Sequence, residues 1–247
     1  MSRLIAAVFL LCAFVAEAQE KKPESPRVLA ISPLRATLGE TQTLRLRGLK
    51  LKDVTEVRCT PQLPVTVKEK KDAAPPNGLE AKDVGDQELS VEVNIPADFS
   101  GMRIALEVVT PTGTTSPQDF PVIGRDSAAR EKEPNNGFRE AQTWDATKPM
   151  VGKIDGDKDV DVFRISAVAG KSMVFQITAA SAGSLLDPIL AVFDADGRML
   201  GSADDNNGGR DAKLTLTPKT DGSLFLVVSD AHDRGGSWHE YFLEREL

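Results

Sequence analysis

Apolar and polar residues alternate with a period of two along most of the chain, and glycine, proline, asparagine and aspartate interrupt the alternation at short intervals. Because successive side chains of a strand point to opposite faces, this pattern predicts β-strands that bury one face. Before residue 125 the pattern predicts seven strands, at 28–32, 41–47, 54–58, 64–68, 88–95, 103–110 and 118–122. After residue 132 it predicts eight, at 150–154, 162–167, 172–179, 188–193, 198–202, 213–217, 224–229 and 238–244.

The predicted fold class is all-β, with two β-sandwich domains in tandem. Residues 27–124 suit an immunoglobulin-like sandwich, and residues 133–247 suit a second, jelly-roll-like sandwich. The charged stretch 125–132 has no apolar period and is the predicted linker. The residues expected in the first core are Leu44, Leu46, Val91, Val93, Leu106 and Val108.

Two segments break the strand pattern. Residues 69–87 are charged and contain consecutive prolines and a glycine, which predicts a long exposed loop. Residues 136–143 are the only candidate for a short helix.

The first eighteen residues are predicted to be a signal peptide, so the protein is expected in the periplasm, at the cell surface or outside the cell. Arg3 precedes an apolar run over 4–15, and an Ala-Glu-Ala cleavage pattern ends at Ala18. The run is shorter than the roughly 20 residues of a membrane span, although an uncleaved anchor remains an alternative. Residues 19–26 form a polar leader. A lipoprotein is disfavoured because Leu11 precedes Cys12.

Charge and cysteine content narrow the class of protein. The net charge is −7 and no basic cluster is present, which argues against a nucleic-acid partner. Cleavage after Ala18 would leave Cys59 as the remaining cysteine, so stability must come from packing or from a metal rather than from an internal disulfide. We interpret Cys59 as a small buried strand residue rather than as a reactive thiol.

Several motifs follow one another in the second half of the chain. Residues 131–136 read E-K-E-P-N-N, residues 159–163 read D-V-D-V-F and residues 186–188 read L-D-P. Together with D-A-D-G, D-G-S-L and a closing G…Y-F-L, these blocks resemble the bacterial pre-peptidase C-terminal (PPC) domain over 131–247. The first half is similar, more loosely, to IPT/TIG-type immunoglobulin-like domains, through Ser32-Pro33, L-R-L-R-G at 44–48 and T-P-T-G at 110–113.

The resemblance to PPC domains implies a non-catalytic module. Members accompany secreted peptidases or occur in multi-domain exported proteins, and some bind matrix or wall polymers. Some hold calcium where the linker joins the sandwich. The partner expected from this resemblance is an extracellular or cell-envelope protein or polysaccharide.

Five oxygen-bearing residues are the candidate metal ligands: Glu131, Glu133, Asn135, Asp159 and Asp161. In an extended segment the first three share one face, and the two aspartates form a second alternating pair whose parity continues into core-facing positions. Carboxylates at the rim of a core are costly unless they are solvated, paired or metal-bound. Calcium takes roughly 6–8 oxygen ligands in flexible geometry and is the expected cofactor, with magnesium less suitable. The alternative is a plain turn sequence with aspartates at a strand entry.

Other motifs favour structural interpretations. The stretch 155–166 lacks the glycine and glutamate of an EF-hand loop, and 204–209 is typical of a solvated hairpin. Trp144, Trp238 and Tyr241 are expected in the core or at its edge rather than on a sugar-stacking platform.

The sequence argues against an enzyme. The two histidines, His232 and His239, belong to no H-E-x-x-H motif, and no G-x-S-x-G motif occurs. Ser237 and His239 would share a strand face too far apart for a nucleophile–base pair, although a carboxylate pair for glycoside hydrolysis stays open. The predicted function is a secreted, non-catalytic binding or targeting module with a calcium-stabilised linker. The alternative is a structural or assembly protein of the cell envelope without metal or ligand dependence.

Overall fold

The computed structural model describes residues 24–76 and 78–246, and the predicted signal peptide lies outside them. The all-β prediction is confirmed, because strands dominate the described residues. The strands of the first half are β1 (Arg27–Ser32), β2 (Ala36–Thr37), β3 (Thr41–Leu49), β4 (Glu56–Thr60), β5 (Val65–Asp72), β6 (Gln87–Asn94), β7 (Arg103–Thr110), β8 (Gly113–Thr114) and β9 (Gln118–Ile123). Among residues 24–76 and 78–246, no helix has the length and apolar character to cross a membrane.

The first half is a sandwich of two sheets. One sheet has the order β1-β3-β6-β5, and the other has the order β2-β9-β7-β4 with β8 beside β7. Apart from the short strand β2, these orders match the ABED and CFG sheets of immunoglobulin domains. All six residues predicted for this core are fully buried: Leu44, Leu46, Val91, Val93, Leu106 and Val108.

The second half is also a sandwich. Its strands are β10 (Ala129–Arg130), β11 (Gln142–Thr143), β12 (Met150–Lys153), β13 (Val160–Ala167), β14 (Met173–Thr178), β15 (Pro188–Phe193), β16 (Met199–Ala203), β17 (Lys213–Leu216), β18 (Gly222–Asp230) and β19 (Glu240–Glu246). The sheets have the orders β10-β12-β19-β14-β17 and β11-β13-β18-β15-β16. Successive long strands alternate between the sheets except at the β15–β16 hairpin, which is a jelly-roll arrangement.

The segment 69–87 differs from the predicted exposed loop. Strand β5 continues through its charged residues to Asp72, and a helical turn, α1 (Ala81–Val84), precedes β6. The buried side chain of Arg47 holds the intervening chain, since its Nε donates to Val84 O at 2.9 Å and its Nη2 to Ala73 O at 3.0 Å. These hydrogen bonds from Arg47 hold the segment in place, although its own sequence predicts a loop.

The predicted helix at 136–143 is wrong. The described chain forms a turn there and then strand β11, which pairs in parallel with β13. Phe138 anchors the turn by stacking on Phe225, with ring centroids 4.7 Å apart. Its ring also lies 5.4 Å from that of Phe193, so two aromatic contacts rather than a repeating helical stripe fix this segment.

The two sandwiches contact each other directly. Ile31 N donates to Gly183 O at 2.9 Å, and Leu34 N donates to Glu240 Oε2 at 2.9 Å. The guanidinium of Arg45 lies 4.6 Å from the centroid of the Trp238 ring. Phe242, from the last strand, packs against the core of the first sandwich.

Candidate metal centre

The segment 131–136 lies as a strap between the two sheets of the second sandwich. Glu131 N donates to Val151 O at 3.0 Å on one side, and Val162 N donates to Asn135 O at 3.0 Å on the other. Glu131 Oε2 also accepts a hydrogen bond from Lys153 N at 2.7 Å. These backbone contacts bring the side chains of the strap to the start of β13.

Three of the five predicted ligands converge. One carboxylate oxygen each from Glu131, Glu133 and Asp161 lies within 4.8 Å of the other two. Asp161 is fully buried, and its Oδ2 accepts a hydrogen bond from Tyr241 Oη at 2.5 Å. Its Oδ1 is buried without a hydrogen-bond partner among the described residues. An acidic oxygen left in this condition is costly and calls for a cation or a proton.

Asn135 is also part of this group and is fully buried. Its Nδ2 donates to Glu131 Oε1 at 2.8 Å, and its backbone N–H donates to Glu133 Oε2 at 2.9 Å. The amide nitrogen of Asn135 thus binds Glu131, and its carbonyl oxygen Oδ1 lies 3.3 Å from the Asn136 amide.

Asn136, which the sequence did not single out, lies among four oxygens. One end of its amide is 3.1 Å from Glu133 Oε2, 3.2 Å from both Asp159 Oδ1 and Val160 O, and 3.3 Å from Asn135 Oδ1. The other end of the amide faces hydrogen-bond donors, so an NH₂ group directed at the four oxygens gives both ends of the side chain a partner. An NH₂ group placed there would have two hydrogens for four acceptors, whereas one cation can satisfy several oxygens together.

Asp159 lies at the outer side of this group. Its Oδ2 accepts from Asp155 N at 2.6 Å, and its Oδ1 accepts from Val160 N at 3.0 Å. The Asn136 amide lies between Asp159 and the exposed carboxylate of Glu133. Asp159, Glu133, Asn136, Asp155 and Asp157 line an open pocket of 450 Å³.

Burial and the repulsion between neighbouring carboxylates disfavour ionisation of all these carboxyl groups at once. Burial, followed by the neighbouring Glu131 carboxyl, raises the pKa of Asp161 to about 10. Burial also raises the pKa of Glu133, and the Asn135 N–H partly offsets this rise. A bound cation would reverse the preference for the protonated forms.

The donor set fits calcium on chemical grounds. It consists of carboxylates, side-chain amides and a backbone carbonyl, all hard oxygen donors. Sulfur and imidazole, which softer metals prefer, do not belong to it.

A second acidic group lies at the same end of the second sandwich, where β15 begins two strands along from β13. Asp187, Asp204 and Asp205 bring carboxylate oxygens within 4.8 Å of one another. Asp204 and Asp205 are exposed, in agreement with a solvated hairpin. His232 Nε2 lies 3.5 Å from Asp187 Oδ2, whereas Asp187 Oδ1 is buried without a hydrogen-bond partner among the described residues.

The remaining candidate residues have structural surroundings. Trp144, Trp238 and Tyr241 are buried, which confirms their placement in the core or at its edge. Cys59 is half-buried on β4, and burial raises the pKa of its thiol. His239 is buried, whereas Ser237 is exposed and its backbone oxygen accepts from Arg45 Nη2 at 3.1 Å.

Comparison with known proteins gives limited likenesses. No protein-family model matches the sequence. A stretch of 103 residues, 40% of the chain, is 32% identical to a probable subtilase-type serine protease of Deinococcus radiodurans. The chain spans only 14% of the length of this protease.

Two solved structures share strand arrangements with the chain. The pre-peptidase C-terminal domain of a Bacillus anthracis collagenase is 14% identical, with 47% of this chain and 100% of that one covered and a TM-score of 0.36. The mixed-linkage glucan utilisation protein SGBP-B of Bacteroides ovatus, solved with a heptasaccharide, is 10% identical over 89% of this chain and 74% of that one, with a TM-score of 0.30. Likenesses of this strength carry no argument about function.

Proposed function

We propose that the protein is an exported, non-catalytic binding or targeting module whose second sandwich is stabilised by calcium at the strap 131–136. The observation that carries the proposal is the buried and unpartnered Oδ1 of Asp161, whose carboxylate converges with those of Glu131 and Glu133. Hydrogen bonds leave this oxygen unsatisfied, and a hard cation can bind it together with the neighbouring carboxylate oxygens.

In this proposal the residues that bind the ion contribute two kinds of oxygen, charged and neutral. Glu131, Glu133 and Asp161 supply negative charge, while Asn135, Asn136 and Val160 O supply neutral oxygens. Asp159 completes the outer side. Calcium supplies charge neutralisation when bound, and the residues then tie the strap to the start of β13. The strap follows β10 within the second sandwich, so its order holds the two sheets of that sandwich together.

A role outside catalysis agrees with the surroundings of the candidate nucleophile and base. Ser237 is exposed and His239 is buried, and the side-chain hydrogen bonds of the described residues include none between them. The similarity to a protease covers only 14% of that protein's length, which agrees with a module that accompanies a larger enzyme.

The competing proposal is a structural or assembly protein of the cell envelope. The acidic strap would then be a hydrogen-bonded turn in which the NH₂ group of Asn136 donates to the surrounding oxygens. This proposal predicts little response to metal and no preference for a ligand.

The test is the thermal unfolding of residues 19–247 in excess chelator and in millimolar calcium. A ligand at about 100 times its dissociation constant adds roughly 2.7 kcal/mol, which raises the Tm of a protein of this size by several degrees. We expect Glu133→Gln and Asp161→Ala to abolish the rise, and the exposed control Asp98→Asn to keep it. An identical Tm for the unmodified protein in both solutions would favour the structural role.

A further inference from the structure

A cleft of 620 Å³ lies between the two sandwiches. One wall comes from β9 and the start of β7, and the other from β19 and the turn 180–183. The hydrogen bond from Ile31 N to Gly183 O joins the two walls at the cleft. Clefts of this volume between domains are a common place for ligands.

The cleft has an apolar floor and a polar rim. Ile31, Ile123 and the half-buried ring of Phe242 provide apolar surface. Gln118, Asp119 and Glu244 provide planar groups at the rim. Such groups accept hydrogen bonds, and the Gln118 amide also donates them, so a ligand with many hydroxyl groups finds both kinds of partner.

The charges at the rim disfavour a strongly charged polymer. Arg103 lies 3.7 Å from Asp119 and offsets its charge, and Glu244 adds a single carboxylate. No field of one sign extends over the cleft, so electrostatic attraction of a polyanion or polycation is not what this surface provides.

The wall formed by β9 is also a poor edge for adding a peptide strand. Strand β2 pairs with β9 only at Val122 and Ile123, which leaves the earlier part of β9 open on that side. Pro117 and Pro121 flank this open part and lack the N–H groups that a new strand would use.

A second pocket of 460 Å³ extends the cleft along the outer face of β14. It shares Ala180 and Ser181 with the first, and its polar residues include Gln176, Asn206 and Arg210. The two pockets therefore adjoin at Ala180 and Ser181 and together form one groove lined in part by side-chain amides.

We propose that this groove binds a neutral oligosaccharide segment of an extracellular polysaccharide. The sugar rings would place their C–H faces on the floor around Phe242, and their hydroxyls would reach Gln118, Asp119 and Glu244. This inference rests on the proposed binding function, since it names the class of ligand and the surface that binds it.

The experiment is titration calorimetry of residues 19–247 in millimolar calcium with the hexasaccharides of cellulose, xylan, mannan and chitin, each to millimolar concentration. We expect at least one to bind, and we expect Gln118→Ala and Glu244→Ala to weaken that binding tenfold or more. The matched control is Glu246→Ala, on the same face of β19 but outside the cleft. It should bind as the unmodified protein does.

Two results would overturn the proposal. One is the absence of binding by all four sugars, and the other is binding that Gln118→Ala and Glu244→Ala leave unchanged. Gelatin serves as the protein probe, and gelatin binding that these two variants abolish would assign the groove to a peptide instead. A calcium-dependent Tm in the same samples separates failure of the groove from failure of the calcium proposal.

Discussion

A cation site and a hydrogen-bonded turn require opposite orientations of the Asn136 side-chain amide. In a cation site its oxygen is a ligand, and aspartate would serve as well. In a turn its NH₂ group donates, and a carboxylate at this position would repel Glu133 and Asp159.

The first prediction follows from this contrast. Asn136→Ala should lose most of the calcium-dependent rise in Tm, whereas Asn136→Asp should keep it or increase it, because a carboxylate oxygen replaces the amide oxygen. Thermal unfolding of both variants in chelator and in calcium measures the rise. Loss of the rise in both variants, with stability in chelator unchanged, would contradict an oxygen ligand at this position.

His239 provides a prediction about pH. Burial lowers the pKa of its imidazole below the ordinary value, so the unfolded chain takes up a proton more readily than the folded one. Its contribution to stability is therefore complete above pH ~6.5 and is lost as pH falls below that value. In saturating calcium, His239→Gln should show a smaller fall in Tm between pH 7.5 and 5.5 than the unmodified protein, and His232→Gln, which alters an exposed histidine, serves as the control. Parallel curves for His239→Gln and the unmodified protein would contradict the assignment.

The alternation of residues along the strap predicts part of the candidate centre and misses the rest. Glu131 and Glu133 share a face of an extended segment, and the structure brings both to Asp161. Asn136 falls on the opposite parity, so the same reasoning passes over it. The chain bends at Glu133 and again at Gly137, so strict alternation does not hold through the strap, and the contact of Asn135 with β13 joins residues distant in sequence.

At the scale of elements, the sequence predicts strands well where one face is buried. Strand β7 has the predicted bounds, and its residues alternate between exposed or half-buried and fully buried. The first half of strand β5 falls in the predicted strand 64–68, but its exposed, charged residues from 69 onward indicate a loop. Pairing with β6 keeps it extended, and that pairing is not visible in the local sequence.

Arg47 gives a prediction for the segment that follows β5. It is buried and donates to the carbonyls of Ala73, Ala74, Val84 and Gly85. Lysine keeps the charge but reaches fewer of these oxygens, and each buried acceptor left without a donor costs about 1–3 kcal/mol.

Arg47→Lys should therefore lower the free energy of unfolding by about 2 kcal/mol or more, as measured by urea denaturation. Limited proteolysis should then cut between residues 73 and 80 sooner than in the unmodified protein. The control is Arg58→Lys, at an exposed ion pair with Glu56, which should change neither measurement. Equal proteolysis of the two variants would show that Arg47 does not order this segment.

For the whole molecule, strand positions were predictable but their partners were not. The sequence indicates eight main strands after residue 132, and the jelly-roll arrangement places β12 beside β19, at opposite ends of that half. Tyr241 illustrates the consequence, because it meets Asp161 across a separation of 80 residues. Such pairing depends on the combined packing of both sheets, which no short window of sequence contains.

The contacts between the sandwiches lead to a prediction about cooperativity. Phe242 and Ala182 of the second sandwich pack against the core of the first, so unfolding the second would expose part of that core. Arg45 adds its contact with the Trp238 ring and a hydrogen bond to Ser237 O. Because apolar burial and cation–π contacts both cross the boundary, neither sandwich loses its structure without cost to the other.

Scanning calorimetry should therefore show one unfolding transition for residues 19–247, and calcium should move the whole transition although the strap belongs to the second sandwich. Arg45→Ala should weaken the coupling by about 0.5–2 kcal/mol and broaden or divide the peak, because it removes the cation–π contact at the boundary. Arg103→Ala, an exposed residue of the same sandwich, is the control and should leave a single peak. Two transitions in the unmodified protein, with only the one from the second sandwich responding to calcium, would mean that the sandwiches touch without stabilising each other.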